Sequence, residues 1–360
     1  QASANGLAPA SGFEARMREY LHSQPELVVP QWRFREMSPL IDSANMTPAY
    51  WQQLREAVVD AVDVQGCDSV LILHGTTGSG AGMLGPNFGG ELFGPGQILD
   101  AKRYFVILPD AIGTGKSSKP SDGLRAKFPA YNYTDMVSAQ HRLVTEHLGI
   151  RHLRLVLGNS MGGMQTWMWA MNYPDMMDIA VPMASLPSAM SGRNWMLRRM
   201  LTESIRKDPL WMGGNYKEQP PSWQFASVFY ATATNGGNQG LQKIAPTSDM
   251  GDALLKRRLT PPLAGDANDH LFQWESSKDY DVSAGLERIK ATVLVINSAD
   301  DERNPPELGI LEKALPRIKN AKALIIPGSP DTFGHGTTGN SRFWKAEVGA
   351  LLQSAPRLPR

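Results

Sequence analysis

Six short apolar runs, "SVLILHG", "RYFVILPD", "LRLVLGN", "IAVPMAS", "ATVLVINS" and "AKALIIPG", recur along this chain, and each ends in a polar or glycine-rich loop. Helical-looking stretches separate them. Strands that are apolar along their whole length are buried on both faces, so the alternation predicts an α/β fold: a mostly parallel sheet with helices on either side. In such sheets ligands gather beyond the carboxyl ends of the strands, and chemistry-bearing residues are to be sought just after each run. The pattern fails between Leu186 and about Lys278. Prolines (Pro220, Pro221, Pro261, Pro262), a Gly-Gly-Asn-Gln-Gly loop after Asn235 and helix signals around Trp195 to Lys207 fill that stretch. An inserted, mainly helical cap accounts for it, with residues 1–186 and 279–360 as the core and 187–278 as the cap.

The third run breaks in an informative way. Leu153, Leu155, Val156 and Leu157 read as a buried strand, Gly-Asn-Ser-Met-Gly follows, and Met164 to Met171 has no Pro or Gly and suits a helix. Ser160 would sit at this strand-to-helix corner. Gly158 and Gly162 flank it where side chains would crowd a sharp turn, in the spacing G-x-S-x-G. Such an elbow raises a serine hydroxyl above the sheet at a helix N-terminus, whose free N–H groups favour negative charge.

A serine acts as a nucleophile only with a base and an acid to orient that base. After the last apolar run, "PGSPDTFGHGTTG" places His335 in a loop beyond a strand, and it is the one histidine so placed after Ser160. The preceding run ends in "NSADDERNPPE", where Asp301 is the expected partner of the imidazole on its Asp-x-x-x-Pro spacing to Pro305, with Asp300 as the alternative. The chain order Ser, Asp, His fits this division of roles. "LILHGTTGSGAG" lacks the Gly-Lys-Ser/Thr ending of a phosphate-binding loop and the G-x-G-x-x-G of a dinucleotide site. It is expected instead to supply an oxyanion donor, the backbone N–H of Thr76, with the second from Met161.

Composition excludes several other classes. A formal net charge of +1 gives no reason to expect nucleic acid or an acidic membrane, and no run approaches the roughly 18 apolar residues of a membrane span. Cys67 is the single cysteine, which rules out an internal disulfide and a thiolate cluster. Neither a metal nor an organic cofactor is expected, and a homodimer is left open. The start, "QASANGLAPASG", suits a mature end left by signal-peptide removal, so periplasmic or secreted residence is expected, with the cytoplasm as the alternative.

These motifs resemble the α/β-hydrolase fold in its homoserine O-acetyltransferase branch. "GNSMGGMQTWMWA" is similar to that branch's serine elbow, "LHGTTGSG" to its oxyanion loop, "LFGPGQILDAKRYFVI" and "DMVSAQHRLVTEHLGI" to the segments between, and "DPLWMGGNY" to a signature in its cap. The likeness runs from roughly Asp68 to Tyr216, and more loosely from Tyr280 to His335. It implies Ser160 as nucleophile, Asp301 as orienting acid and His335 as base. Two departures stand out: the family's Asp after the histidine is Gly336 here, and its carboxylate-binding arginine, seven residues before the proline of "DPLW", is Thr202. The expected activity is therefore hydrolysis of a carboxylic ester through an acyl-serine. The alternatives are an acyl-CoA-dependent O-acyltransferase and, less favoured, an inactive binding module. The expected partner is a small ester with an apolar portion against cap residues such as Trp195 and Trp211, with no charged anchor for a zwitterion.

Overall fold

The computed structural model describes residues 68–261 and 264–358. The leader-like start and Cys67 lie outside the described residues. All six apolar runs form strands: β1 (Asp68–Leu73), β2 (Tyr104–Ile107), β3 (Leu153–Asn159), β4 (Met177–Met183), β5 (Thr292–Ser298) and β6 (Ala321–Ile326). They pair in the order β2-β1-β3-β4-β5-β6, and every described pairing is parallel. Parallel neighbours need crossovers, and α1 (Tyr133–Arg142) and α2 (Met161–Asn172) supply two of them.

Successive side chains of a strand point to opposite faces, and the core divides accordingly. Leu71 and Leu73 of β1, with Val293 and Val295 of β5, pack with α1 and α2 on one face. Val70, Ile72, Leu294 and Ile296 pack on the other face with Trp344 and Val348 from the chain's last helix. Burial on both sides is the physical reason the runs are apolar throughout. At the edge, β6 exposes Lys322 and Ala323, as an unpaired border tolerates.

Beneath the sheet's third strand, α2 is buried along nearly its whole length, Trp167 and Trp169 included. Two of its side chains bond to α1: Trp169 Nε1 donates to Gln140 Oε1 at 3.0 Å, and Gln165 Oε1 accepts from Gln140 Nε2 at 2.8 Å. This leaves little freedom in where the first turn of α2 sits.

Between β4 and β5, the stretch expected as a cap holds five helices: α3 (Gly192–Arg206), α4 (Ser222–Thr234), α5 (Asn238–Ile244), α6 (Ser248–Leu259) and α7 (Ala267–Glu275). They share a small core of their own from Leu201, Ile205, Trp223, Tyr230, Leu271 and Trp274. The final helix, α8 (Lys345–Ser354), returns to the sheet. It is tied there by buried Arg154, which pairs with Asp178 at 3.0 Å and donates to the carbonyls of Leu352 and Ala355 at 2.6 and 3.0 Å.

Candidate active site

β3 ends at Asn159 and α2 begins at Met161, so Ser160 alone makes the corner. Its backbone takes φ 56° and ψ −112°, a conformation that costs an L-residue free energy and persists only where its surroundings enforce it. Two backbone bonds do so: Ser160 N–H donates to Met183 O, and its carbonyl accepts from Met164 N–H, both at 2.9 Å. The flanking glycines are sterically required. A Cβ at Gly158 would stand 2.1 Å from the carbonyl oxygen of Gly162, and one at Gly162 would stand 2.0 Å from that of Leu73.

His335 lies in a short 3-10 turn, Gly334–Gly339, beyond β6. Its Nε2 is 2.8 Å from Ser160 Oγ, and its Nδ1 is 3.0 Å from both oxygens of Asp301. All three residues are buried. Asp301 follows β5 and is held by the N–H groups of Arg303 and Asn304, at 2.8 and 3.1 Å, and by Asn304 Nδ2 at 3.0 Å. Burial alone would raise its carboxyl pKa, but the facing imidazole and these hydrogen bonds outweigh burial and hold it below the usual carboxylate value. Burial pushes His335 the other way, below its ordinary value; Asp301 resists, while the charges of Arg303 and Arg198 reinforce the depression. The result is a neutral imidazole at neutral pH, with one nitrogen turned to a carboxylate and the other to a hydroxyl. That arrangement can accept a proton from serine as its oxygen attacks a carbonyl.

The three consecutive acids after β5 divide the work. Asp300, the alternative partner for the imidazole, instead accepts from Ser298 Oγ and, at 2.7 Å, from Thr332 Oγ1. Glu302 accepts from His335 N–H at 3.2 Å and from Gly237 N–H at 2.9 Å, and burial raises its pKa. Gly236 N–H in turn donates to Phe333 O at 2.9 Å, and Lys243 Nζ pairs with Asp331 at 2.5 Å. The α4–α5 corner is thus joined to the loop that carries His335. On its other side, that loop reaches the serine corner through Thr338 Oγ1, which donates to Asn159 Oδ1 at 2.5 Å.

The loop after β1 also meets the serine. A Cβ at Gly75 would lie 3.5 Å from Ser160 Cβ, and Thr76 follows it with a buried hydroxyl that has no partner among the described residues. Met161 occupies the first position of α2, so its N–H lies outside the helix's own ladder. His74, unremarked in the sequence, fixes this loop: Ala111 N–H donates to its Nε2 at 2.9 Å, which leaves Nδ1 to donate to Gly75 O at 2.8 Å. Burial keeps His74 below its ordinary pKa, which preserves the acceptor nitrogen.

Ser160 and His335 open on a small cavity of about 40 Å³, lined by Met164, Leu186, Met190 and Ile310 among apolar residues, and by Asn194, Arg198, Arg303 and Asn304 among polar ones. One expectation changes here. Neither Trp195 nor Trp211 lines this cavity: Arg199 lies over the Trp195 ring, and Trp211 donates its Nε1 to Asn268 Oδ1 at 2.8 Å within the inserted helices. Arg198 and Arg303 also reach the cavity, with no Asp or Glu beside them in its lining. Sequence reasoning singles out neither arginine; Arg198 lies one turn before Thr202 on the same buried face of α3. Thr202 itself is buried and donates to Arg199 O at 3.0 Å. Among the described residues, no group of three or more His, Cys, Asp or Glu is placed to hold a metal ion, and no helix is long and apolar enough to cross a membrane.

The site's setting matches known proteins. A family profile described as alpha/beta hydrolase fold matches residues 68–332. Another, described as asparaginase, N-terminal, matches residues 1–78, far less than half of the chain, and its last residues are here β1 and the Gly75 loop of the six-stranded sheet. Homoserine O-acetyltransferase of Trichormus variabilis is 33% identical over 275 residues, 67% of this chain and 72% of that protein. The homoserine O-acetyltransferase of Caulobacter vibrioides is 30% identical over 346 residues, 90% of this chain and 86% of that one. Among solved structures, the acetyl esterase MekB superposes with a TM-score of 0.68 at 26% identity, covering 82% of this chain and 89% of its own. The chain belongs to the alpha/beta hydrolase fold family, in its homoserine O-acetyltransferase-like branch.

Proposed function

We propose that the protein is a serine esterase that cleaves a small carboxylic ester through an acyl-serine intermediate, with the inserted helices as its cap. The observation that carries this reading is the continuous relay from Asp301 through His335 to a Ser160 held in a strained corner. Ser160 Oγ attacks the ester carbonyl as His335 Nε2 takes its proton; the oxyanion so formed is stabilised by the backbone N–H groups of Thr76 and Met161. His335 then returns the proton to the departing alcohol, and water, activated by the same imidazole, releases the acid. Each oxyanion donor contributes about 2.7 to 4 kcal/mol in comparable sites, which explains why the Gly75 loop is so firmly held.

Acyl transfer from acyl-CoA to an alcohol is the second reading, favoured by relatives named homoserine O-acetyltransferase. Against homoserine as acceptor stand Thr202, turned onto its own helix, and Gly336, where a Cβ would meet Asn235 Oδ1 at 2.7 Å. The acetyl esterase neighbour accords with water as acceptor. The test has two parts. A neutral organophosphonate should label Ser160, read by mass spectrometry, and abolish hydrolysis of p-nitrophenyl acetate. Acetyl-CoA with homoserine should give negligible transfer; efficient transfer with negligible ester hydrolysis would overturn the esterase reading in favour of the second.

A further inference from the structure

Buried charges in this protein are ordinarily compensated: Arg154, in the sheet, has Asp178 and two carbonyls. The two arginines lining the cavity differ. Arg198 is 1% exposed; its Nη1 donates to Ser277 Oγ at 3.0 Å, its Nε to Asn194 Oδ1 at 3.3 Å, and its guanidinium lies 4.8 Å from the Trp274 ring centre. Arg303 donates its Nε to Thr234 Oγ1 at 3.1 Å and lies 4.6 Å from the Tyr230 ring centre. Every one of these partners is neutral. No carboxylate of a described residue is within ion-pair distance of either guanidinium, and no Asp or Glu lines the cavity.

Arginine does not shed its proton, and burying an unpaired charge costs several kcal/mol, so a fully buried Arg198 with a half-buried Arg303 beside it, both facing one small cavity, is a standing demand for an anion. They arrive from separate parts of the chain. Arg198 comes from α3 and Arg303 from the loop two residues past Asp301, and the Tyr230 whose ring Arg303 covers also donates to Asn194 Oδ1, the acceptor of Arg198. The lining holds no acidic side chain to receive an ammonium group, so the site is not built for a zwitterion. We propose that Arg198 and Arg303 bind a carboxylate carried by the substrate, and hence that the natural substrate is an anionic ester without an amino group. This inference rests on the acyl-serine reading above.

The carboxylate could lie on the alcohol or on the acyl side, and matched pairs distinguish them: 4-acetoxybutyrate against 4-acetoxybutanamide, and ethyl hydrogen succinate against ethyl succinamate. In the wild-type enzyme, the anionic member of one pair should be preferred by about tenfold to hundredfold in kcat/KM, the worth of a hydrogen bond to a charged group. Arg198→Met and Arg303→Met, which keep an unbranched apolar stem, should each collapse that ratio, chiefly through KM for the anionic member. A loss of packing alone would lower both members together and leave the ratio standing, and that result would overturn the proposal. So would equal rates within both pairs in the wild type, a comparison that needs no variant. If Ser160 is labelled by the phosphonate and neutral esters are cleaved while both pairs are indifferent to charge, this inference falls and the esterase reading stands. If Ser160 is not labelled and no ester is cleaved, the esterase reading falls and takes this one with it.

Discussion

Among single residues, the acids after β5 show most clearly what short-range sequence carries. Asp300 and Asp301 are adjacent and chemically identical, yet one faces the imidazole and the other braces the loop through Ser298 and Thr332. Asp301→Asn should lower kcat by about four orders of magnitude, because the amide stabilises the wrong tautomer of His335. Asp300→Asn keeps one accepting oxygen and should stay within about tenfold of wild type; steady-state hydrolysis of p-nitrophenyl acetate reads both, and the opposite ranking would reassign the acid. The base carries its own prediction. Because His335 must be neutral to act and its pKa lies below the ordinary 6.5, kcat/KM should rise with pH along an acid limb whose midpoint is below that value, and be level at neutrality. A pH–rate profile with its midpoint above 6.5 would contradict this. Ser160, Asp301 and His335 were legible because each follows an apolar run at a recognisable spacing. Arg198 was not, since it packs with Trp274 of α7 and Ser277 just beyond that helix, more than seventy positions away. Trp195 and Trp211 misled for the converse reason: a large aromatic side chain lies under a guanidinium, as Trp195 does beneath Arg199, or packs on a small helical core, as Trp211 does, as readily as it meets a ligand.

At the scale of elements, the serine corner shows how closely strand and helix are fitted. Gly162→Ala would drive a methyl group against the Leu73 carbonyl, where neither backbone can yield cheaply. It should destabilise the fold by about 3 kcal/mol, read as a drop in denaturation midpoint, with activity lost alongside. In α7, neighbouring residues are displaced in opposite senses. Burial beside Trp223 brings His270 down to about 4, whereas burial lifts Asp269, bonded to Ser121, to about 6. For His270 the unfolded chain binds the proton more readily, so its contribution to stability is present above pH 6.5 and is lost as pH falls toward 4. Asp269 acts in reverse, favouring the folded state as pH falls from 6 toward 4, so the wild-type profile should be shallow there. The stability of wild type minus that of His270→Gln should therefore fall on acidification across pH 6.5 to 4, by at most about 1.4 kcal/mol per pH unit. Denaturant titrations at several pH values check this, and a flat difference would refute it. The helices themselves were easier to foresee than their company: the stretch around Trp195 to Lys207 is indeed helical as α3, but which face it turns inward depends on partners far along the chain.

Taken as a whole molecule, the architecture was readable because burial on both faces of a parallel sheet leaves a one-dimensional trace, and every apolar run became a strand. Cavity shape leaves no such trace, since the space beside Ser160 is bounded by the first turn of α2, the loop after β4, α3 and the loops after β5 and β6 together. Its modest volume sets a limit on the acyl group. Across p-nitrophenyl esters from acetate to octanoate, kcat/KM should fall by at least about tenfold, because methylenes that cannot be housed displace the carbonyl from the serine. A rise along the series would mean that the pocket extends further than its walls indicate.

The joint between the α4–α5 corner and the histidine loop has a bearing on traffic. With Gly237 bonded to Glu302, Gly236 to Phe333 and Lys243 to Asp331, an outward swing of the α4–α5 corner would pull on the loop that holds His335 against Ser160. On the proposed function, a corner so fastened would act as a sieve of fixed mesh, with molecules admitted or refused by their girth. Loosening the fastening with Glu302→Ala would widen the mesh only by unsettling the imidazole, so tolerance of bulk and catalytic speed should be traded against one another at this single carboxylate.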